Sequence, residues 1–424
     1  MSDRPTVVFF PEGAYGPTNN CVGIGQVLRA RGARVVFVVE ESFAGTLEAQ
    51  GFEEVLMRLK PPPEAEEVPG QFWKDFVRDT APEFRKPTIE QLEGFVLPVW
   101  RELVDGARYV DERLAEIFAE VKPDVIVEDN VVGFPAVLAS GIPWVRIVSC
   151  NPLELKDPAL PPTFSGYPTA DRSDWEEFRR RYRELHEPLQ REFSEFCVAR
   201  GARPLPEGEF IHESPFLNLY LYPAEADYAR SRRLGPTWIR LGSCVRRADL
   251  VPGHVRGPGR AVLYLSLGSL GSADVGLMQK LIDTLGSADH FVVVSMGPQH
   301  EELRLAPNMT GEEFLPQPAI LPLVDVVITH GGNNTVTESL HFGKPMVVLP
   351  LFWDQYDNAQ RMHELGLGRR LDTYGHDPAE LLTAIESLLE DPLLPERLSG
   401  IARRLQGDPG TAHAADLIEK LVDA

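Results

Sequence analysis

Apolar runs and helical repeats of apolar positions alternate along both halves of this chain. Thr6–Phe10 and Arg34–Glu40 are short runs rich in β-branched and aromatic residues. Between them, Ile24, Val27 and Leu28 recur at helical spacing. Continuous apolar runs of this length are typical of strands that are buried on both faces of a parallel sheet. The pattern therefore predicts βαβ units joined by right-handed crossovers.

The alternation continues to residue 149 and restarts after residue 260. The further predicted strands are Val125–Asp129, Pro143–Ser149, Ala261–Ser266, Phe291–Ser295 and the run Val324–Thr329. A helix is predicted at Val275–Leu285 between two of them. Two such halves predict an α/β fold with two Rossmann-like, doubly wound domains that face each other across a central cleft.

Two segments interrupt this pattern and suggest where the domains divide. Pro-rich loops flank the highly charged stretch Asp174–Arg200, which we expect to form solvent-facing helices without a chemical role. Residues 246–260 are expected to be an exposed linker. We therefore predict a first domain of residues 1–245 and a second of residues 261–407. A C-terminal helix, residues 408–424, carries an apolar stripe and is expected to pack back on the first domain.

Length, composition and charge narrow the class of protein. A chain of 424 residues exceeds what one hydrophobic core commonly organises, and 43% hydrophobic with 25% charged residues is typical of a soluble globular protein. The net charge of −21 disfavours a nucleic-acid partner, which needs clustered cations. The four cysteines lie far apart without metal-ligand spacing, so we expect reduced thiols and no metal site. No apolar run approaches the roughly 20 residues of a membrane-spanning helix, and we expect a cytoplasmic protein without a signal peptide.

The stretch Phe314–Arg361 carries the clearest chemical signal. A buried strand within it ends at His330-Gly331-Gly332, and Asn333 then opens a helix. Glycines allow a ligand to approach the main chain closely, and the N-terminus of a helix offers unpaired N–H groups and a positive dipole end. This combination predicts a phosphate-binding turn.

The same stretch resembles the donor-binding signature of family 1 nucleotide-sugar glycosyltransferases with the GT-B fold, and is similar to that of bacterial enzymes acting on macrolides and other natural products. The resemblance is strongest over residues 261–372. It implies metal-independent transfer of a hexose, with inversion, to a hydroxyl of a small acceptor. UDP-sugar or dTDP-sugar would be a co-substrate, no other cofactor is implied, and UDP-glucose is the expected donor. We expect a monomer or homodimer.

The resemblance also assigns roles to residues of this chain. Phe314 would stack on the base and Gln317 would meet the base or ribose, although core packing is the alternative for Phe314. Glu338 would accept hydrogen bonds from the ribose hydroxyls, and Trp353 would form a wall of the sugar site or merely pack. Residues implied to contact the diphosphate are His330, Gly332, Asn334 and Thr335. Gly268 and Ser269 would form a loop that closes near it, and Asn333 is a further donor-binding residue. Those implied to hold the sugar hydroxyls are Asp354 and Gln355.

The first half departs from the family pattern. Relatives carry a histidine base after a glycine in the loop following the first strand, but here that place is Gly16-Pro17 and the first histidine of the chain is His186. Asp129 matches the usual partner aspartate and could take the proton itself or through water, and Glu12 is a second candidate. Asp129 could instead cap a helix and Glu12 could face solvent. The protein could also be a noncatalytic homologue that binds nucleotide sugars.

The sequence gives less information about the acceptor. The segment PEGAYGPTNN, which we expect to be a loop, is polar and includes Asn19, which favours a polar acceptor such as a nucleoside. Trp73 and Phe76, together with Phe72 and Trp100, could line the acceptor site or pack in the core. A polyketide or a phenol also remains possible. A dinucleotide-dependent oxidoreductase is the alternative enzyme class, but Gly23-Ile24-Gly25 lacks the third glycine of its fingerprint.

Overall fold

Two parallel β-sheets organise the chain in the computed structural model, which describes residues 4–62, 71–248, 255, 257 and 259–423. The first sheet has the strand order β3-β2-β1-β4-β5-β6-β7 and the second has the order β10-β9-β8-β11-β12-β13. Every paired strand runs parallel to its neighbour. The predicted architecture of two doubly wound α/β domains is confirmed.

The strands have the following bounds. The first sheet contains β1 Thr6–Pro11, β2 Arg34–Glu40, β3 Glu53–Met57, β4 Val125–Asp129, β5 Trp144–Val148, β6 Leu217–Leu221 and β7 Trp238–Leu241. The second contains β8 Val262–Ser266, β9 Phe291–Ser295, β10 Met309–Glu312, β11 Val326–Thr329, β12 Met346–Val348 and β13 Gly368–Arg370. The strands predicted from apolar runs are confirmed to within two residues at each end.

The helices cover both faces of the sheets. Those that follow the early strands are α1 Tyr15–Ala30, α2 Gln71–Phe84, α3 Thr88–Gln91, α4 Leu97–Val121, α5 Pro135–Ala139 and α6 Trp175–Ala199. The later ones are α7 Gly268–Gly271, α8 Val275–Gly286, α9 Gln317–Ile320, α10 Asn333–His341, α11 Gln355–Glu364, α12 Pro378–Leu389, α13 Leu394–Gly407 and α14 Gly410–Val422. No helix in the described part of the chain is long and apolar enough to cross a bilayer.

The alternation of side chains along each strand explains the continuous apolar runs. Val7 and Phe9 belong to a buried cluster with α1 residues, whereas Val8 and Phe10 belong to a second cluster with α4 residues. The last helix, α14, buries Ile418 in the cluster of Val7 and Phe9. The C-terminus of the chain therefore contributes to the core of the first sheet.

Two expectations about irregular segments need correction, and a third, the exposed linker, holds in part. The segment expected to be a first loop is mostly helix, because α1 begins at Tyr15; Pro17 fits there since the N–H groups of a first turn need no partner within the helix. The charged stretch forms one long helix, α6, that buries Phe178 and Phe193 on its apolar face. In the expected linker, Arg247, Gly257, Gly259 and Arg260 are exposed as predicted, whereas Val255 is buried and the Arg246 side chain is only 17% exposed; residues 249–254, 256 and 258 lie outside the described residues.

Candidate active site

The turn after β11 is shaped by two glycines. Gly331 has a φ of 89°, and a Cβ atom there would lie 2.6 Å from Val348 Cγ1 and 3.1 Å from the Gln355 carbonyl oxygen. A Cβ atom on Gly332, which precedes α10, would lie 2.6 Å from Nε2 of His330. Only glycine fits both positions, and the N-terminus of α10 is thereby left open to an anion.

His330 lies between this turn and the loop after β8. Gly268 has a φ of 68°, and a Cβ atom there would lie 2.8 Å from Cε1 of the imidazole. Burial lowers the pKa of His330 to about 4, against a smaller opposing effect of a backbone hydrogen bond with Ser266. At neutral pH the ring is therefore uncharged and can offer one N–H to a phosphate oxygen. Ser269, the next residue after Gly268, is partly exposed.

Glu338 is the centre of a buried polar network one turn into α10. Its Oε2 accepts from Nε2 of Gln317 at 2.6 Å, and its Oε1 accepts from Nη1 of Arg246 at 2.9 Å and from Nδ2 of Asn334 at 3.3 Å. The hydroxyl of Thr335 contacts the Gln317 amide. The structure therefore brings together four residues that we predicted for the donor site, and adds Arg246.

The two asparagines that begin α10, Asn333 and Asn334, make different contacts. Asn333 donates through Nδ2 to the Leu221 carbonyl oxygen at 3.1 Å, so it joins the second sheet to the end of β6 rather than facing a ligand with that atom. The Asn334 Oδ1 atom is buried and has no partner among the described residues. Asn334 therefore keeps an unused acceptor at the anion site.

Phe314 does not pack in a core. Its side chain is 47% exposed, and its ring centroid lies 5.9 Å from that of Tyr15, which is equally exposed. The alternative of core packing is therefore wrong for Phe314. The two rings form an exposed aromatic surface where α1 of the first sheet approaches the second sheet.

The pair Asp354-Gln355 opens α11. Asp354 accepts from the Asn151 backbone N–H at 2.8 Å through Oδ2, and burial raises the pKa of this carboxyl to about 6. Gln355 uses Oε1 to accept from the backbone N–H groups of Leu351 and Phe352, at 3.0 and 3.3 Å. These bonds leave the Gln355 amide N–H groups to donate.

Trp353 occupies an unusual backbone conformation with a φ of 57°. Its ring centroid lies 4.3 Å from that of Phe164 and 5.4 Å from that of Trp100, which itself stacks on Phe210 at 4.3 Å. The cost of a left-handed conformation for such a residue is roughly 1–3 kcal/mol, which this packing must offset. Trp353 thus packs in an aromatic cluster next to the pair that we predict to hold the sugar.

The two candidate bases lie together at the end of β1 and β4. The Glu12 backbone N–H donates to the Asp129 carbonyl oxygen at 2.9 Å, and both side chains line one small cavity together with Pro17. Ser149 Oγ donates to Asp129 Oδ2 at 2.5 Å and accepts from Asn20 Nδ2 at 3.0 Å. Asp129 therefore bonds to Ser149, and Glu12 is largely withdrawn from solvent, so the alternatives of a helix cap and a solvent-facing side chain receive no support.

Burial alters the acidity of this pair. It raises the pKa of Glu12 to about 7, with the charge of Asp129 as the second cause. It also raises the pKa of Asp129 to about 7, against the opposing hydrogen bond from Ser149. Carboxyl groups that exchange protons near neutral pH are suited to general base chemistry.

Sequence reasoning missed several neighbours of these acids. Arg146 and Glu154 line the same small cavity, and burial raises the pKa of Glu154 to about 7. Arg146 lies opposite Glu128 in the register of β4 and β5. These residues come from strands and a loop that are separate in sequence, and only the strand order brings them together.

The candidate acceptor residues are dispersed. Asn19 lies within α1 and is partly exposed, while Phe76 on α2 packs at 6.5 Å from Phe84. Trp100 is fully buried, so core packing is its role. The side chains of Trp73 and Phe72 lie outside the described residues.

A large cavity of about 1070 Å³ lies between α6 and two loops of the first half. Its walls are mainly apolar and include Phe178, Tyr182 and Phe210. The Thr163 Oγ1 and His186 Nε2 atoms are buried beside it without a partner among the described residues. The charged stretch that we expected to have no chemical role therefore supplies one wall of a ligand-sized cavity.

Hydrogen bonds join the two halves around these groups. Asp357 on α11 accepts from the backbone N–H groups of Phe164 and Gly166, at 2.6 and 2.8 Å. Asn151 donates through Nδ2 to Oδ1 of Asn358 at 2.8 Å. These bonds place the loop after β5 against the start of α11, so the acids of the first sheet and the turn of the second border the same cleft.

Comparison with known proteins shows which molecules share this arrangement. Residues 279–421 match the family described as erythromycin biosynthesis protein CIII-like, C-terminal domain. The chain is 25% identical to oleandomycin glycosyltransferase of Streptomyces antibioticus, over 97% of this chain and 90% of that protein. It is 26% identical to demethyllactenocin mycarosyltransferase of Streptomyces fradiae, over 98% of this chain and 86% of that protein.

Solved structures share the fold over almost the whole chain. The glycotransferase of kitacinnamycin superposes with a TM-score of 0.69 at 24% identity, covering 99% of both chains. The Streptomyces sp. SF2575 glycosyltransferase SsfS6, complexed with thymidine diphosphate, gives a TM-score of 0.67 at 18% identity, covering 98% of this chain and all of that one. Both sheets and the cleft between them are included in these superpositions.

Proposed function

Because the chain belongs to the family 1 glycosyltransferases with the GT-B fold, within the group that acts on natural products, we propose that it transfers a hexose from a nucleoside diphosphate to a hydroxyl of a small acceptor. The proposal rests on two sites that border the cleft from opposite sheets. A glycine turn with a helix N-terminus lies at the end of β11, and an acid pair lies at the ends of β1 and β4.

The donor would lie along α10. Its diphosphate would bind at the turn through His330, Gly332 and the helix N-terminus, with Gly268 and Ser269 closing over it. The pentose would reach Glu338 and the base would stack on Phe314. The hexose, for which glucose is our choice, would meet Asp354 and Gln355.

The reaction would be a direct displacement. The acceptor oxygen forms a bond to the anomeric carbon as its proton passes to a carboxylate, and the bond from that carbon to the diphosphate oxygen breaks with the electron pair leaving on the diphosphate. Inversion follows from attack opposite the leaving group. The helix dipole and the neutral His330 would stabilise the departing charge without a metal ion, and alignment of both substrates supplies much of the rate.

Asp129 is the proposed base. The hydrogen bond from Ser149 stabilises its ionised form, whereas the largest influences on Glu12 are burial and the charge of Asp129. The first proton to leave the pair therefore comes from Asp129, and Glu12 stays protonated beside it.

The acceptor is proposed to have an apolar body. Leu153 lines the large cavity and the adjacent Glu154 lines the cavity of the acids, so the two cavities share a wall. A polyketide or phenol fits the apolar walls of that cavity better than the nucleoside favoured by the sequence. The acceptor hydroxyl would then point toward Asp129.

A noncatalytic nucleotide-sugar binder is the second candidate, and Pro17 in place of the family's histidine favours it. A mass-spectrometric screen distinguishes the two. UDP-glucose and dTDP-glucose are each incubated with a library of polyketides, phenols and nucleosides, and we expect a product heavier by one hexose residue. Tight binding of UDP or dTDP without turnover on any acceptor would instead establish the noncatalytic role.

A further inference from the structure

Arg246 reaches the donor site from the segment that follows β7, the last strand of the first sheet. After β7, the segment 243–247 crosses α1 at Gly23, where a Cβ atom would lie 3.0 Å from the Cys244 carbonyl oxygen and 3.3 Å from the Arg246 nitrogen. The backbone N–H of Arg247 donates to Oε1 of Gln26 at 3.0 Å and fixes the segment on the helix. This crossing directs the Arg246 side chain toward α10.

The contact that results is a buried ion pair. Nη1 of Arg246 lies 2.9 Å from Oε1 of Glu338, and the two side chains are 17% and 2% exposed. Removing two charges from water is costly unless their hydrogen bonds are satisfied, so a pair of this kind is weak evidence for a purely stabilising role. A role in positioning the carboxylate for a ligand accounts for it better.

The hydrogen-bonding capacity of Glu338 is nearly filled. A carboxylate offers about four lone-pair positions, two on each oxygen. Arg246 and Asn334 take both positions on Oε1, and Gln317 takes one on Oε2. With the partners in the described part of the chain, a single position therefore remains without rearrangement.

The location of Glu338 suits a pentose. Gly332 precedes the first residue of α10, and Glu338 lies six residues farther on, which at about 1.5 Å per residue is roughly 9 Å along the axis. A pentose follows directly on a diphosphate bound at the helix start, so its hydroxyls would meet this carboxylate. This step rests on the proposed function.

We propose that Arg246 is a specificity-determining residue for the donor nucleotide. By holding Oε1, it limits Glu338 to one pentose hydroxyl. The single 3′-hydroxyl of a 2′-deoxyribose fits the remaining position, whereas a ribose must leave its 2′-hydroxyl without this acceptor or displace the arginine.

The test compares UDP with 2′-deoxy-UDP, which differ only in the 2′-hydroxyl. Isothermal titration of the full chain should give 2′-deoxy-UDP an affinity within about twofold of UDP. Arg246→Ala frees a lone-pair position, and the preference should shift about tenfold toward UDP, as expected for one hydrogen bond to a charged group. Arg247→Ala removes the same charge from an exposed neighbour and should leave the ratio unchanged.

Failure of the role of Arg246 and failure of the proposed function would give different results. A wild-type preference of about tenfold for UDP, or an equal loss of both affinities in Arg246→Ala, would overturn the role of Arg246. If neither nucleotide binds the wild-type chain, the proposed function itself fails. Should Arg246→Ala not fold, Arg246→Met keeps the packing of the side-chain stem and serves for the same comparison.

Discussion

Asp129 and Glu12 differ in what surrounds them, although both carboxyl groups exchange protons near neutral pH. Asp129 has a hydroxyl donor, Ser149, held in turn by Asn20, whereas Glu12 relies on burial beside a like charge. An asymmetric environment of this kind gives two acids separate roles. Asp129 is therefore suited to accept a proton as the base, and Glu12 is suited to remain its protonated neighbour.

Replacing Asp129 by asparagine should reduce kcat by about 10²- to 10⁴-fold while leaving UDP affinity unchanged, because the shape of the site is kept and only the proton acceptor is lost. Product formation by mass spectrometry and nucleotide binding by titration measure the two effects. Glu128→Gln is a matched control, since this buried carboxyl precedes Asp129 on β4 and belongs to the opposite face of the strand. Full activity in Asp129→Asn would exclude Asp129 as the base.

The pH dependence of kcat/KM should follow the same carboxyl group. Since the pKa of Asp129 is raised to about 7 and a base acts only when deprotonated, activity should rise with pH through about 7 and level off above 8. Ser149→Ala removes the hydrogen bond that opposes this shift, so the rise should move to higher pH. A profile that is flat from pH 5 to 8 would argue against a carboxylate base.

Individual site residues were predictable where a local motif or the family resemblance covered them. His330, Gly332 and Glu338 fall within one strand–turn–helix unit, so their spacing alone placed them together. Ser149 and Arg246 come from other parts of the chain, and strand order and a helix crossing bring them to the site. Local spacing carries no information about such neighbours.

At the level of elements, Gly23 on α1 allows another segment of the chain to pack against the helix. In the sequence it is recognisable only as part of an incomplete dinucleotide fingerprint. It lets the segment after β7 lie directly on the helix, and a Cβ atom there would approach the Cys244 carbonyl oxygen to 3.0 Å. The opposing Cys244 oxygen and Arg246 nitrogen belong to the backbone, which cannot rotate away as a flexible side chain can. The position of Arg246 therefore depends on a glycine about 220 residues earlier.

Gly23→Ala should displace this segment and with it the guanidinium. We expect the ratio of UDP to 2′-deoxy-UDP affinity to move in the same direction as in Arg246→Ala, but by a smaller factor, because the pair is shifted rather than removed. Titration with both nucleotides measures this. Gly400→Ala on α13 is the matched control, since a Cβ atom there would meet nothing within 4 Å; an equal effect of both substitutions would contradict the argument.

Prediction of the strands succeeded for the longer apolar runs. β2 is an unbroken apolar run apart from its terminal residues and β4 begins with three apolar residues, whereas β6 contains Asn218 and was missed. Asn218 is fully buried because it bonds to Ser214 and Thr237, a compensation that sequence does not reveal. Similarly, the charges of α6 concealed its apolar face.

For the whole molecule, buried carboxyl groups should make stability fall as pH rises. Burial raises the pKa of Glu12, Asp129 and Glu154 to about 7 and that of Glu128 to about 8. Their unfolded values lie near 4, so above that pH the unfolded chain has released protons that the folded chain retains. The free energy of unfolding then decreases by up to about 1.4 kcal/mol per pH unit for each group.

The histidines oppose this trend only at lower pH. Burial lowers the pKa of His186 and His330 to about 4, and these groups increase stability with rising pH only up to about 6.5. Thermal melting should therefore show a lower Tm at pH 8 than at pH 6.5, and Glu128→Gln should reduce the difference. A Tm that increases over this interval would contradict the protonated state of the buried acids.

The crossing of Arg246 onto Glu338 also bears on how enzymes of this kind could be recombined. A hybrid that takes its first 247 residues from this chain and the remainder from another parent would combine this arginine with the other parent's residue at the position of Glu338. A hybrid joined before Ser243 would inherit the partners from one parent. With Arg246 in its proposed role, moving the crossover point by a few residues changes whether the arginine and the carboxylate come from the same parent, and the nucleotide preference of the hybrid should change with it.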